Sequence, residues 1–309
     1  MPRILDAQHA VPALGTLLGA CDVDGGPTDE QRSLVGALAS GYFHADVDVD
    51  ELVPLGPVDA AGCFGTEAER RRVRQLLLVA ELCRHPLTEA QVTRTAEYAR
   101  ALGGDGELQE IARDLVADGV AHARDDFFRA LDRVEPGLRE PALAGAPGSD
   151  PIREDADLAQ RLRALRHCPP GSLGRAYLAF YDDHGFALPG TDNHPAALFV
   201  AHDMSHVIAG YEPTGVGEIS LGAMQLAMAD TDEHWVQLLG TIGVHEAGFV
   251  PIGAPLAALA RPGAVETVAE GFDRGARCGA DFTVADHLSM VDEPLDRVRA
   301  RFGVPPRQR

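Results

Sequence analysis

Between His194 and Met224 the chain reads HPAALFVAHDMSHVIAGYEPTGVGEISLGAM, and within it two histidines and two acids recur at spacings that chemistry can use. On a helix His202 and His206 stand at i, i+4 and Asp203 stands i, i+3 from His206, so one sector of the surface carries all three. Eleven residues then lead to Glu218, and Gly210, Pro213, Gly215 and Gly217 in that interval break the helix and let the chain reverse. Two imidazoles and two carboxylates can then converge as a mixed nitrogen and oxygen site. Such a set is typical of zinc and equally acceptable to iron, cobalt or manganese. The competing reading is a helix with solvated charges and two core histidines in ordinary hydrogen bonds. Against it stand Leu198, Phe199, Val200, Val207 and Ile208, because charge on a helix that is apolar nearly all round needs pairing or a metal. A cation held by His202, Asp203, His206 and Glu218 would be structural if closed. It would be catalytic if a carboxylate, Asp203 or Glu218, shifts to admit substrate or water, and spacing leaves both open. A catalytic ion would polarise a substrate oxygen as a Lewis acid.

Other polar residues fall on expected helices nearby, each with a duller explanation beside the functional one. His194 lies two turns before His202 on the same face, yet beside Pro195 it serves equally as a cap. His245 and Glu246 lack the second histidine of a zincin helix and either line the pocket or are buried in ordinary hydrogen bonds. Arg274 and Arg277 can hold a substrate carboxylate bidentately, or pair with surface acids as arginines on amphipathic helices usually do.

The elements that must position these groups are helices. Alternating β-branched runs are absent, which predicts an all-α protein of two helical bundles joined by a Pro/Gly-rich linker. The linker is placed at 136–157, between domains at 1–135 and 158–309, because the segment around it carries four prolines and three glycines with no apolar period. Downstream, helices are expected over 172–184, 195–210, 218–229, 232–246, 264–277 and 294–302. Upstream, three helix starts are announced by Thr28 with Gln31, Thr66 with Glu69 and Thr88 with Gln91. The first and third of these lie 60 residues apart, an offset that also relates Leu17 to Leu77 and Ala20 to Ala80, which predicts a weak internal duplication. A run from Glu107 to Leu131 is expected to close that bundle. Acidic runs such as Asp22-Val-Asp24-Gly25 read as solvated turns, because Ser33 and Pro57 stand where an EF-hand loop needs its glutamate.

With the elements in place, two resemblances emerge. The two apolar helices, each followed by an acidic turn and a helix opening with Thr-x-x-Gln, loosely resemble tellurite-resistance protein B-like (TerB-like) domains over roughly residues 10–133. His202, Asp203, His206 and Glu218 match position by position the H-D-x-x-H, eleven residues, E hallmark of the coenzyme Q (ubiquinone) biosynthesis protein four family. GSLGRAYLAFYDDHGF (171–186) and EPLDRVRARFGVPP (293–306) look like further blocks of that family, in the same order, so the likeness covers about half the chain. It implies an all-α fold, a divalent metal often described as zinc, and a role in maturing a prenylated aromatic ring. The activity proposed there is oxidative decarboxylation, replacing a ring carboxylate by hydroxyl, beside an older role as a scaffold in a biosynthetic complex with partner enzymes. Zinc alone exchanges no electrons with oxygen, so an oxidative reaction would need a redox-active metal or another redox partner. The fused N-terminal half is unlike the family's usual single-domain form.

Composition narrows the remaining choices. The 309 residues are 45% hydrophobic, and 47 acids against 27 basic residues, all arginine, leave a net charge of −20, which argues against a nucleic-acid partner. Five scattered cysteines without a C-x-x-C pair fit a reduced cytoplasm. No leader and no membrane span are expected. The apolar stretch Gly248–Ala260 suits core packing, or at most a prenyl-tail groove or peripheral membrane contact. Phosphate-binding loops and the serine-hydrolase elbow are missing. A small aromatic or prenylated substrate is the expected partner, and assembly into a homo-oligomer is left open.

Overall fold

A computed structural model describes residues 4–104, 133–143, 155–191, 196–248 and 256–307. The expected Glu107–Leu131 helix and His194 lie outside the described residues. Among those described there are twelve α-helices and no strand, so the chain is all-α. They are α1 Ala10–Cys21, α2 Asp29–Ala37, α3 Pro57–Cys63, α4 Glu67–Leu82, α5 Glu89–Ala101, α6 Ala156–Ala164, α7 Leu173–His184, α8 Ala196–Ala209, α9 Gly215–Met228, α10 Asp232–His245, α11 Ala264–Arg277 and α12 Leu295–Phe302. The caps explain the starts. Thr28, Thr66 and Thr88 each accept a hydrogen bond from the backbone N–H three residues on, and Gln31 and Glu69 reach back to complete the box. Within this set α9 begins three residues earlier than its apolar pattern suggests. Thr214 caps it through the Gly217 N–H, and two glycines in its first turn hide the start.

The described chain falls into two compact units, one of residues 1–132 with 214–276, the other of residues 133–213 with 277–309. Residues 214–276 thus group with the N-terminal helices, whereas the sequence reading placed them with the C-terminal half. The physical reason is a buried ion pair between residues far apart in sequence. The Arg72 guanidinium on α4 meets the Asp230 carboxylate at 2.7 Å, and Trp235 Nε1 donates to the same carboxylate at 2.8 Å. Neither a Pro/Gly count nor a helical period encodes such a pairing. Further along, α9 and α11 touch through Gly271 and Gly275, where a Cβ would collide with the backbone carbonyls of Ser220 and Met224. The close approach fixes α9 against its neighbour.

The duplication is visible in this first unit. Gln31 Nε2 donates to the Ala80 carbonyl at 2.9 Å, and Gln91 Nε2 donates to the Ala20 carbonyl at 3.0 Å. Since 31 and 91, like 20 and 80, are 60 apart, each repeat holds the other's first helix by the same bond. The two glutamines also meet, Gln31 Nε2 donating to Gln91 Oε1 at 3.1 Å. Arg84, nearly fully buried, donates to Gln91 Oε1 and to the carbonyls of Cys21, Val23 and Gly26.

In the second unit α7 packs on α8, and α12 on both. Part of the Pro/Gly-rich segment is built into it. Glu140 is fully buried, its carboxylate meeting His287 Nδ1 at 2.8 Å and accepting from the Leu288 N–H at 3.1 Å.

Candidate metal centre

The last two turns of α8 carry His202, Asp203 and His206, as the i, i+4 and i, i+3 spacings require. Gly210 ends the helix with φ +78°, its N–H returning to the His206 carbonyl at 2.7 Å. This reversal turns the Tyr211 carbonyl toward His206 Nδ1, 2.9 Å away. A carbonyl only accepts, so Nδ1 carries the proton and Nε2 presents its lone pair. His202 Nε2 lies 3.2 Å from His206 Nε2, with the two rings 79° apart. Two nitrogens each about 2.0–2.1 Å from a zinc ion at a tetrahedral angle stand about 3.3 Å apart, so the pair fits a shared cation.

Asp203 is engaged differently. Its Oδ2 accepts a hydrogen bond from the hydroxyl of Tyr181 on α7. Burial, then the neighbouring Tyr177 and Asp203, drive the Tyr181 phenol far above its usual range, so it stays a donor. The same helix presents Phe180, whose ring stacks on His206 at 5.7 Å, and His184, which bonds the Phe180 carbonyl and the Glu212 carboxylate. Phe186, half exposed, stacks on His184. Phe180 therefore covers the His206 ring, and Phe199 meets the His202 ring edge-on. Tyr177, Phe180, Tyr181 and His184 follow an i, i+3, i+4, i+7 pattern, a signal in the sequence that went unused.

Glu218 lies half-buried in the first turn of α9, its N–H bonded to the Thr214 carbonyl. That helix belongs to the first unit and α8 to the second, joined by the turn at 210–214. Within its own unit Glu218 influences His245. Burial pushes that imidazole below its usual range, the Glu218 carboxylate opposes the shift, and Arg261 adds to it. Glu246 is fully buried. Its Oε1 accepts from the Leu259 N–H at 2.8 Å, and its Oε2 stands 3.7 Å from His85 Nε2. Burial raises the Glu246 carboxyl to about 7. Its visible work is to tie the turn at Ala258–Ala260 to the end of α10. Arg274 is buried within α11, whereas Arg277 is exposed at its end. Of the apolar stretch 248–260, Ala258 and Leu259 are buried and Leu256 is exposed, and residues 249–255 lie outside the described residues. No helix among the described residues is long and apolar enough to cross a membrane.

No family model and no curated protein matches the chain. Among solved structures, one of a Nostoc punctiforme protein provisionally assigned to ubiquinone biosynthesis matches with 18% identity and a TM-score of 0.35, covering 76% of this chain and 99% of that one.

Proposed function

We propose that His202 and His206, joined by Glu218 as the sequence spacing predicts, hold one divalent cation, zinc foremost, and that the centre acts on an aromatic or quinone-like carboxylic acid. The observation that carries this reading is the approach of the two imidazole nitrogens to 3.2 Å while His206 Nδ1 is committed to the Tyr211 carbonyl. That commitment fixes the tautomer a metal ligand needs. Glu218 follows twelve residues after His206, at the hallmark spacing of the family the sequence resembles. Three protein ligands leave a position for substrate.

When bound, the cation would supply Lewis-acid polarisation of a carboxylate or phenolate oxygen. The chain's own groups do the rest. Phe180 and Phe186 offer faces against which a planar ring can lie. Asp203 is read here as the hydrogen-bonded neighbour of the ligands and not as a fourth ligand. Its carboxylate, steadied by Tyr181, can accept or return a proton at Oδ1 or Oδ2 as charge shifts on the substrate.

The reading is tested by loading the protein with zinc, iron or cobalt and following turnover of 4-hydroxybenzoate-type acids. Asp203→Asn should keep the metal and the melting temperature yet lose about 10²-fold or more in turnover, the range of a general acid or base. A metal-loaded wild type that turns over no aromatic acid, and that unfolds on chelation, would instead make the ion the centre of a scaffold.

A further inference from the structure

The C-terminal segment reaches back to the helix that bears the histidines. Arg299 on α12 donates from Nε to the Ile208 carbonyl and from Nη2 to the Val207 carbonyl, both at 3.0 Å. Arg307 donates to the Gly210 carbonyl at 3.2 Å, and its guanidinium lies 4.6 Å from the centre of the Tyr211 ring. These carbonyls belong to the last turn of α8 and the reversal after it, where intrahelical donors run out and positive charge complements the helix dipole. The next carbonyl along, that of Tyr211, is the one that accepts from His206 Nδ1.

We propose that Arg299 and Arg307 are positioning residues for His206, a proposal that rests on the metal reading above. Both arginines bond backbone carbonyls near the imidazole-bearing turn. Arg299 anchors two carbonyls in the last turn of the helix, and Arg307 grips the turn from both sides, by a hydrogen bond before Tyr211 and by stacking on its ring. The direction of the Tyr211 carbonyl, and through it the rotation of the His206 ring that aims Nε2 beside His202, is then set by two side chains 93 and 101 residues downstream. Chain connectivity alone would leave a Gly-Tyr-Glu-Pro turn far more freedom. Loosening it keeps every ligand present but spreads the angle at which one of them arrives.

The test is a cobalt(II) titration of the full chain, read by affinity and by the visible absorption of the bound ion, which reports ligand geometry. Arg307→Met, in an exposed stretch beyond the last helix, should weaken cobalt binding about 10- to 100-fold, the usual effect of losing support behind a ligand. It should also shift the absorption band, while the melting temperature of the metal-free protein stays close to wild type. Arg299→Met should act in the same direction. Arg301→Met is the control, since Arg301 sits on α12 but pairs with exposed-side Glu293, and it should change neither readout. If Arg299→Met does not fold, Arg307→Met decides alone. Wild-type affinity and spectrum in Arg307→Met would overturn the proposal and leave the metal reading standing. Absence of stoichiometric cobalt in the wild type would overturn both.

Discussion

Two polar clusters in this chain solve the same problem in opposite ways. Around Gln31, Gln91 and Arg84 each long side chain donates to a helix-end carbonyl or to another member, so the cluster is complete in itself. Around His202 and His206 the outer nitrogen of one ring is tied to a carbonyl, and the two inner nitrogens are brought face to face. Donors matched to acceptors make an internal joint between repeats. On the proposed reading, two ring nitrogens held close, with a supporting bond behind one of them, offer a place for a cation. Burial and polarity alone do not distinguish a joint from a site, whereas bound metal would.

The contrast breaks first at Arg84. Arg84→Ala leaves the carbonyls of Cys21, Val23 and Gly26 without their buried donor and should lower stability by about 3–5 kcal/mol in urea unfolding, with metal stoichiometry unchanged. A parallel loss of metal would show that the two clusters are not independent. Gly275→Ala, which forces a Cβ against the Met224 carbonyl and displaces α9, should lower stability by about 1–3 kcal/mol.

A gentler effect concerns Glu246. Its folded value, about 7, lies above the ordinary 4.5, so the folded state holds the proton more tightly. Stability from this group is fully present below about pH 4.5 and is lost as pH rises through 7. Burial lowers the His85 imidazole, which acts in the reverse sense. Glu246→Gln keeps an acceptor for the Leu259 N–H, and should flatten the pH dependence of the unfolding midpoint between 4.5 and 7. An unchanged profile would show that the carboxyl titrates normally. The smallest change is expected from His202→Leu in the metal-free protein, within about 1 kcal/mol of wild type, because an apolar replacement leaves His206 its carbonyl partner. A large loss there would mean that the histidines form a structural joint after all.

Much of this was written in local patterns. Helix positions from 172 to 302 follow from apolar periods and breakers, and the capping threonines mark three starts upstream. The 60-residue offset of Gln31 and Gln91 announces the duplication, though not that the two side chains meet. Pairings between distant residues were illegible. Arg72 with Asp230 draws 214–276 into the first unit, and Glu140 with His287 folds part of a segment that reads as linker. At the site the spacing of His202, Asp203 and His206 was plain. The Tyr211 carbonyl and the arginines behind it were not, because a backbone oxygen carries no residue type and Arg299 stands far from Val207 in sequence.

The central claim is tested most directly by measuring bound divalent metal per chain in the purified protein and in His206→Ala by elemental analysis with native mass spectrometry. One ion per chain in the wild type and none in the variant is the expected result. A wild type without stoichiometric metal after loading with zinc, cobalt or iron, or a variant that keeps its ion, would contradict it.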